Sequence, residues 1–268
     1  MAQRNERIKP EAHVSKQQIL AGLKKLGLKK GDIVGVHSSL SSFGQVEGGA
    51  DAIIDALLEA VGKNGTIVMP AFSANREMLA LTPEMKAAGV SWLMKILPYD
   101  SDREPCWTGA IPESFRRRKQ VLRSLHPLFS LAATGRCARM IIEVGRNGAL
   151  PAWKKMLELG GYVLLIGVGL ESCTAMHLAE ERVKFPGHIQ KKLTPPKWLL
   201  DSYPSKEWDW DVGPYPDFKQ MEEPCLNRGI MKTVKVGNAT LKLLKLKELA
   251  DLYTEYLQKK PDMFYHET

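Results

Sequence analysis

The sequence has few cysteines, no long apolar run and no apolar amino terminus. Its four cysteines include no C-x-x-C pair, so neither a disulfide framework nor a structural zinc site is expected. The longest apolar run, residues 162–168, is far shorter than the roughly 20 residues of a membrane-spanning helix. The polar start MAQRNERIKPEAH does not resemble a signal peptide. We therefore expect a cytoplasmic protein without a membrane partner.

The composition is that of an ordinary globular protein with an excess of positive charge. Hydrophobic residues make up 44% and charged residues 25% of the 268 positions, which does not indicate disorder or a fibrous repeat. The net charge of +8 suggests an anionic partner, which nucleic acid, a membrane surface or a phosphorylated small molecule could provide. Charge alone does not choose among the three.

Helix and strand patterns alternate along the chain. Helical apolar spacing covers residues 15–27, 49–61, 152–159 and 246–258. Strand patterns cover residues 32–36, 66–72, 128–133 and 162–168. A β-hairpin is predicted over residues 231–245, around Gly237 and Asn238. The order predicts an α/β protein with a central mixed sheet flanked by helices, and with a C-terminal hairpin and helix.

The sequence patterns along the chain suggest four segments. Residues 1–14 are predicted to be an N-terminal extension and residues 15–183 an α/β core that ends in the helix of His177. Residues 184–229 contain seven prolines and the stretch KEWDWDVGPYPDF, so we interpret them as an acidic and aromatic excursion on the substrate side. Residues 230–268 are expected to complete the same domain.

The first candidate motif is HSSLSSFG, residues 37–44, between a predicted strand and a predicted helix. Clustered hydroxyl and backbone N–H groups there could bind an anion or a thioester. The alternative is a solvated turn with a capping serine.

The second motif, FRRRKQVLRSLHPLFS, places five cations within residues 116–123. Such a cluster could hold phosphate groups, although a run of charge is usually a solvated helix face.

The third motif is GVGLESCTAMHLAE, residues 167–180. Its glycines do not complete a dinucleotide fingerprint, because Ser172 replaces the third glycine. His177 is expected about one turn into a helix with Glu180 at i+3, where a carboxylate could orient the imidazole of a general base. A partly buried structural histidine is the simpler alternative. A metal site that adds His188 lacks the H-E-x-x-H spacing, so no metal is expected.

Together these motifs resemble the aminoglycoside N3-acetyltransferase family from about residue 15 to residue 255. The resemblance rests on GDIVGVHSSLSSFG, WTGAIPESFRRRKQVLRSLHPLFSLAATG and LGGYVLLIGVGLESCTAMHLAEERV in this order. It implies transfer of an acetyl group from acetyl-CoA, as cosubstrate, to the 3-amino group of a deoxystreptamine antibiotic. The small N-acetyltransferases with a Q/R-x-x-G-x-G/A loop have a different fold, and that loop is absent here.

The resemblance also implies roles for individual residues. The catalytic residues would be His177 as the base, Glu180 as its partner, or else an acid of the 207–211 loop, and Thr174 as an oxyanion donor. Contacts to acetyl-CoA would come from His37, Ser38, Ser39, Phe43, Gly44, Arg123, Ser124, His126 and Ser130. Two departures concern the acceptor side: Cys173 stands where the family usually has asparagine, and EVGRNGALPAW replaces a Gly/Pro-rich segment.

A polycationic acceptor needs carboxylates around its pocket. The available acids are Asp100, Asp102, Glu104, Glu207, Asp209 and Asp211, and the aromatic residues Trp208, Trp210 and Tyr215 could stack on its rings. The alternative is that the loop carrying residues 207–215 is a solvated flap.

Three rival hypotheses stay open at the level of sequence. The acceptor could be a different small amine, or the reaction could pass through an acetylated Ser38 or Ser39. The rival from another class is a basic protein that binds nucleic acid through residues 116–123. We favour an enzyme with a small polycationic amine substrate and no nucleic-acid partner, either a monomer or a homodimer.

Overall fold

The computed structural model describes residues 13–265, and a seven-stranded mixed sheet forms the centre of the protein. In chain order the strands are β1 (His13–Val14), β2 (Ile33–Ser38), β3 (Gln45–Val46), β4 (Thr66–Pro70), β5 (Arg76–Met78), β6 (Val90–Ile96), β7 (Leu122–Arg123), β8 (Leu131–Gly135), β9 (Tyr162–Ile166), β10 (Trp208–Val212), β11 (Lys232–Val236) and β12 (Ala239–Lys245). The central sheet has the order β11-β12-β9-β2-β4-β8-β7. This architecture confirms the predicted fold class.

The three middle strands of this sheet are parallel. β2 pairs in parallel with β4 on one side and with β9 on the other. Beyond them, β12 and β11 add antiparallel strands at one edge, and β8 and β7 do so at the other. The carboxyl ends of β9, β2 and β4 therefore meet at one edge of the sheet, where open α/β sheets hold their ligands.

Helices lie along the chain between these strands. The helices are α1 (Lys16–Leu26), α2 (Gly49–Val61), α3 (Pro83–Ala87), α4 (Ala110–Arg116), α5 (Ala138–Val144), α6 (Ala149–Glu158), α7 (His177–Glu180), α8 (Gly187–Lys192), α9 (Lys197–Ser202), α10 (Glu222–Asn227) and α11 (Leu246–Lys259). Within residues 13–265, no helix has the length and apolar character needed to cross a bilayer.

Both faces of the central sheet are buried, because the side chains of its strands alternate between two apolar clusters. In β9, Val163 and Leu165 belong to the cluster that contains residues of α6 and α11. Leu164 and Ile166 belong to the cluster formed with residues of α1 and α2. A strand buried on both faces has a continuous apolar sequence, as residues 162–168 have.

Several local predictions are confirmed. Ser15 and Gln18 form the predicted capping box at the start of α1. The bounds of α2 coincide with those predicted, and β11 and β12 form the predicted hairpin. Of the predicted N-terminal extension, residues 1–12 lie outside the described residues, and β1 pairs in parallel with β3.

Two features differ from the sequence predictions. Residues 184–229 contribute β10, which pairs with β6 in a three-stranded antiparallel sheet of order β10-β6-β5. This pairing joins segments more than 100 residues apart, which local patterns do not reveal. Two short 3-10 turns, Leu170–Ser172 and Thr174–Met176, occupy the place of the expected helix start, so His177 is the first residue of α7.

The close packing of β2 on α6 can be tested with Gly35→Ala. A Cβ at Gly35 would lie 2.2 Å from the indole of Trp153. We expect a loss of about 1 to 3 kcal/mol in the free energy of unfolding, measured by urea denaturation. Gly187→Ala is the matched control, because no atom lies within 4 Å of the added Cβ. Equal stability of Gly35→Ala and the wild type would contradict this packing.

Candidate active site

A cavity of about 760 Å³ lies at the carboxyl ends of the parallel strands. Its floor includes Ser38 at the end of β2, Pro70 at the end of β4 and Val168 beyond β9. The wall opposite is formed by residues of β5 and β6, which belong to the smaller sheet. The cavity thus lies between the seven-stranded sheet and the three-stranded sheet.

His177 lies in this cavity with both ring nitrogens engaged. Its Nδ1 is 3.1 Å from a carboxylate oxygen of Glu180, one turn further along α7. Its Nε2 is 2.8 Å from the hydroxyl of Tyr215. Because a carboxylate only accepts, Nδ1 carries the proton, and Nε2 accepts the Tyr215 hydroxyl proton. In this tautomer the basic lone pair of Nε2 is directed at the Tyr215 hydroxyl, and both residues line the cavity.

Aromatic rings fix the plane of the His177 imidazole. Tyr215 and Phe218 make edge contacts with it, with ring centroids 5.4 Å and 5.0 Å away. Burial raises the pKa of Tyr215 above its usual range, and the nearby Glu180 and Asp211 carboxylates add to the shift. The phenol therefore stays protonated and remains a donor to Nε2.

His37 also lines the cavity, but it is unsuited to be a base. Its ring stacks on Trp153 with a centroid distance of 5.3 Å, and burial lowers the pKa of His37 to about 3. An imidazole with so low a pKa holds a transferred proton poorly.

Two hydroxyl groups at the cavity have no hydrogen-bond partner within residues 13–265. They are Oγ of Ser38 and Oγ1 of Thr174, and both atoms are buried. Buried polar atoms normally have partners. These two hydroxyls are therefore available to a bound molecule.

His126 also lines the cavity, beside Gly148 at the amino-terminal end of α6. Its Nδ1 accepts hydrogen bonds from the backbone N–H groups of Leu128 and Phe129. Nε2 must then carry the ring proton, so it can donate. Burial lowers the pKa of His126 and keeps the ring neutral.

The structure does not bring the other proposed acetyl-CoA contacts to the cavity. Arg123 is turned inward: its guanidinium donates to the carbonyls of Ala71, Ser101 and Glu104 and to Oγ of Ser130. Ser124 accepts from the backbone of Leu131. Three further candidates remain. Ser39 is hydrogen-bonded to Ser41, Phe43 is buried in the core, and Gly44 ends the adjoining turn. The local sequence does not show which carbonyls an arginine will meet.

The basic cluster of the second motif is largely neutralised by carboxylates. Arg116 and Arg117 both bind Glu113, and Arg118 binds Asp51 and Asp55. The pKa of Glu113 falls to about 2: burial opposes this shift, and the hydrogen bond from Arg116 is its main cause. These arginines are ion-paired in the fold.

The acids predicted to bind the acceptor do not line the cavity. Asp100 caps a turn at Asp102 and Arg103, and Glu207 is exposed. Asp209 accepts from the indole N–H of Trp92, which itself lines the cavity. Burial raises the pKa of Asp211, and the proximity of His177 opposes that shift. Asp209 and Asp211 therefore lie just behind the wall rather than in it.

Several cavity residues were not predicted from the sequence. Among the described residues, Glu171 is the one Asp or Glu side chain that lines the cavity, and it follows Gly169 in the third motif. Arg76 of β5 lies over the ring of Trp107, 4.4 Å from its centroid. The glycine-rich pattern could have pointed to Glu171, but isolated positions such as 76 and 107 carry no local signal.

The family model for aminoglycoside 3-N-acetyltransferases matches residues 36–258. The chain belongs to this family. A Bacillus subtilis (strain 168) relative, the SPbeta prophage-derived aminoglycoside N(3')-acetyltransferase-like protein YokD, is 34% identical over 250 residues, covering 88% of this chain and 90% of the relative. Aminoglycoside N(3)-acetyltransferase IV of Salmonella sp is 28% identical over 260 residues, covering 94% and 90%.

Solved structures agree with this membership. The crystal structure of YokD has a TM-score of 0.71 at 29% identity, covering 95% of this chain and 96% of that chain. Aminoglycoside acetyltransferase AAC(3)-IVa has a TM-score of 0.75 at 24% identity, covering 97% and 94%, and shows the shared fold. The family member described here is thus an acyltransferase, with acetyl-CoA as its cosubstrate.

Two residues that the sequence places near His177 are Cys173, on the acceptor side, and His188, as a possible metal ligand. Cys173 is fully buried and is not part of the cavity wall, and burial raises its thiol pKa to about 12. His188 bonds Asp262 instead of joining His177. Within residues 13–265, no group of three His, Cys, Asp or Glu side chains could hold a metal ion.

The buried His37 makes stability depend on pH in a defined window. Above pH 6.5 the ring is neutral in both the folded and the unfolded state. Below it, the unfolded ring binds a proton that the folded ring rejects until about pH 3, so the free energy of unfolding falls. His37→Phe should remove up to about 1.4 kcal/mol per pH unit of this fall between pH 6 and pH 4.

Urea denaturation at several pH values measures this slope. His13→Phe is the matched control, because His13 is an exposed histidine, and its slope should equal that of the wild type. An unchanged slope in His37→Phe would contradict a neutral, buried ring.

Proposed function

We propose that this protein transfers the acetyl group of acetyl-CoA directly to an amine, with His177 as the general base and the 3-amino group of an aminoglycoside as the acceptor. The observation that carries the proposal is the orientation of His177: Glu180 holds Nδ1, and Nε2 faces the cavity. The names of the relatives support the choice of acceptor.

A base is needed because an aliphatic amine is largely protonated near neutral pH and cannot attack while it holds that proton. In the proposed reaction the amine replaces the Tyr215 hydroxyl at Nε2 of His177 and gives up a proton there. Its nitrogen forms a bond to the thioester carbon, and the bond from that carbon to sulfur then breaks. The nitrogen then loses its second proton, which the departing CoA thiolate takes up, and His177 releases the first proton to solvent. The products are the N-acetylated amine, CoA and one proton.

The two unpartnered hydroxyls can bind different parts of acetyl-CoA. Thr174 lies three residues before His177, and its Oγ1 can donate to the oxygen that becomes negative when the amine attacks. Ser38, at the end of β2, can bind the carbonyl or amide groups of the pantetheine arm. His126 can donate from Nε2 to the same arm further along the cavity.

Direct transfer is favoured over an acetyl-enzyme because neither candidate serine is activated. Oγ of Ser38 has no hydrogen-bond partner within residues 13–265, and Ser39 is bonded to Ser41. His37, next to Ser38 in the chain, has a pKa of about 3 and is stacked on Trp153. A serine nucleophile needs an adjacent base to become reactive.

The cavity also constrains how a polycation would bind. In the described part of the chain, Glu171 is the one Asp or Glu side chain in the wall, while Asp209 and Asp211 lie behind it. One ammonium group can pair with Glu171 as the reacting amine meets His177. The aromatic rings of Trp92, Trp107 and Tyr215 are then available to the sugar faces.

The nucleic-acid alternative is not supported. It depended on the cations of residues 116–123. Arg116, Arg117 and Arg118 bind carboxylates, and the guanidinium of Arg123 donates to backbone carbonyls and to Ser130.

The choice of acceptor is tested by a free-thiol assay with acetyl-CoA against a panel of aminoglycosides, simple aliphatic monoamines and aromatic amines. We expect thiol release with aminoglycosides that have a free 3-amino group. Aminoglycosides blocked at that amine should release none. Turnover confined to the monoamines would contradict the proposed acceptor while leaving the acetyl transfer intact.

The role of His177 is tested with His177→Ala. This variant should keep its affinity for acetyl-CoA and lose turnover by at least about 100-fold, the lower range for general-base catalysis. Isothermal titration and the thiol assay measure the two quantities. His13→Ala, which alters an exposed histidine, should behave as the wild type in both. Turnover by His177→Ala at the wild-type rate would rule out the assignment.

A further inference from the structure

The carboxylate of Glu180 has one oxygen that the proposed mechanism does not use. Oε2 binds Nδ1 of His177, but Oε1 is buried and has no hydrogen-bond partner within residues 13–265. The hydroxyls of Tyr253 and Tyr265 are likewise buried without a partner among those residues. Unsatisfied buried polar atoms cost free energy, and charged ones cost more.

These three orphan groups lie together. Burial and then the Glu180 carboxylate are the two leading causes that raise the pKa of Tyr265 above its usual range. Tyr253 and Tyr265 interact with each other through their side chains, and Glu180 acts on the Tyr253 phenol as well. Both phenols stay protonated, so both are donors, whereas the ionised carboxylate only accepts.

The segment that carries Tyr265 is held against the active site. The carbonyl of Phe264 accepts from the backbone N–H of Asp217, and the ring of Phe264 makes an edge contact with Tyr253 at 4.9 Å. Tyr253 contacts Phe218 at 5.7 Å, and Phe218 contacts His177. An unbroken series of rings thus joins the C-terminal segment to the base.

We propose that Tyr265 is a positioning residue for the catalytic pair, and that its hydroxyl donates to Oε1 of Glu180. This inference rests on the proposed role of His177 as the base. A carboxylate bound at both oxygens cannot rotate away from Nδ1, so the imidazole keeps Nε2 directed into the cavity. The Tyr253 hydroxyl donates in turn to the oxygen of Tyr265. All three orphan atoms are then satisfied without any group from solvent.

The family model does not cover the position of Tyr265, so the proposed role of Tyr265 has to be tested in this chain. The family model ends at residue 258, seven residues before Tyr265. The C-terminal segment, through this one hydroxyl, would therefore complete the active site from outside the matched region.

The variant Tyr265→Phe removes only the hydroxyl and retains the ring contact with Phe185. We expect kcat for an amine that the wild type acetylates to fall about threefold to tenfold, with KM for acetyl-CoA and for the amine within twofold. Without the donor, the Glu180 carboxylate becomes more basic and holds the His177 proton more tightly. The acid limb of the kcat profile should therefore move to higher pH.

Other groups around His177 stay in place in this comparison. Tyr215 bonds Nε2 of the ring and the Asp211 carboxylate is near it, and neither residue is altered. Tyr256→Phe is the matched control, since Tyr256 is a partly buried tyrosine of α11, and it should leave kcat and the pH profile unchanged. Phe185→Leu loosens the packing of Tyr265 without removing its hydroxyl, so it should lower thermal stability and leave the acid limb where it is.

A readout that does not depend on turnover separates this inference from the proposed function. The pKa of His177, measured by NMR, should be higher in Tyr265→Phe than in the wild type whether or not an acceptor is known. An unchanged His177 pKa and a superimposable pH profile would overturn the positioning role. Failure of the proposed function would appear instead as full turnover in His177→Ala.

Discussion

The hydrogen bond between Nδ1 of His177 and the Glu180 carboxylate sets the tautomer of the histidine that lines the cavity. It fixes the proton on one ring nitrogen and leaves the lone pair of the other facing the enclosed space. Without that bond, the same histidine could adopt the opposite tautomer and present a donor where the proposed mechanism needs a base. The other residues of the site either contact His177 and Glu180 or, in the proposed mechanism, bind the molecules that react at His177.

The scaffold holds the pair through burial on both sides. α7 follows β9, whose parallel pairing with β2 places its carboxyl end at the cavity. Phe218 and Tyr215, from the segment before α10, contact the imidazole, and Tyr253 of α11 packs against Phe218. His177 is thus supported by residues from three separate parts of the chain, so its orientation depends on the completed fold.

The parts that could be predicted from the sequence are those governed by local periodicity. The apolar spacing of residues 49–61 gave the bounds of α2, and the i,i+3 spacing placed Glu180 beside His177. The resemblance to a family pointed to His177, Ser38 and His126, and all three line the cavity. At these positions a short segment of the sequence is enough to determine where the side chains lie.

The rest depended on contacts between distant segments. Arg123 resembled a phosphate ligand in sequence, yet its guanidinium meets carbonyls of Ala71, Ser101 and Glu104. The acids of β10 were expected in the pocket, but pairing with β6 turns Asp209 toward Trp92. The direction in which a charged side chain points is set by such pairings, which no local pattern encodes.

The most direct test of the account is the tautomer of His177, read from the ring nitrogen shifts by NMR on protein labelled with ¹⁵N at histidine. The account predicts that the neutral ring carries its proton on Nδ1, with an unprotonated Nε2. A neutral ring protonated on Nε2 would contradict it, because that nitrogen could not accept a proton from the amine.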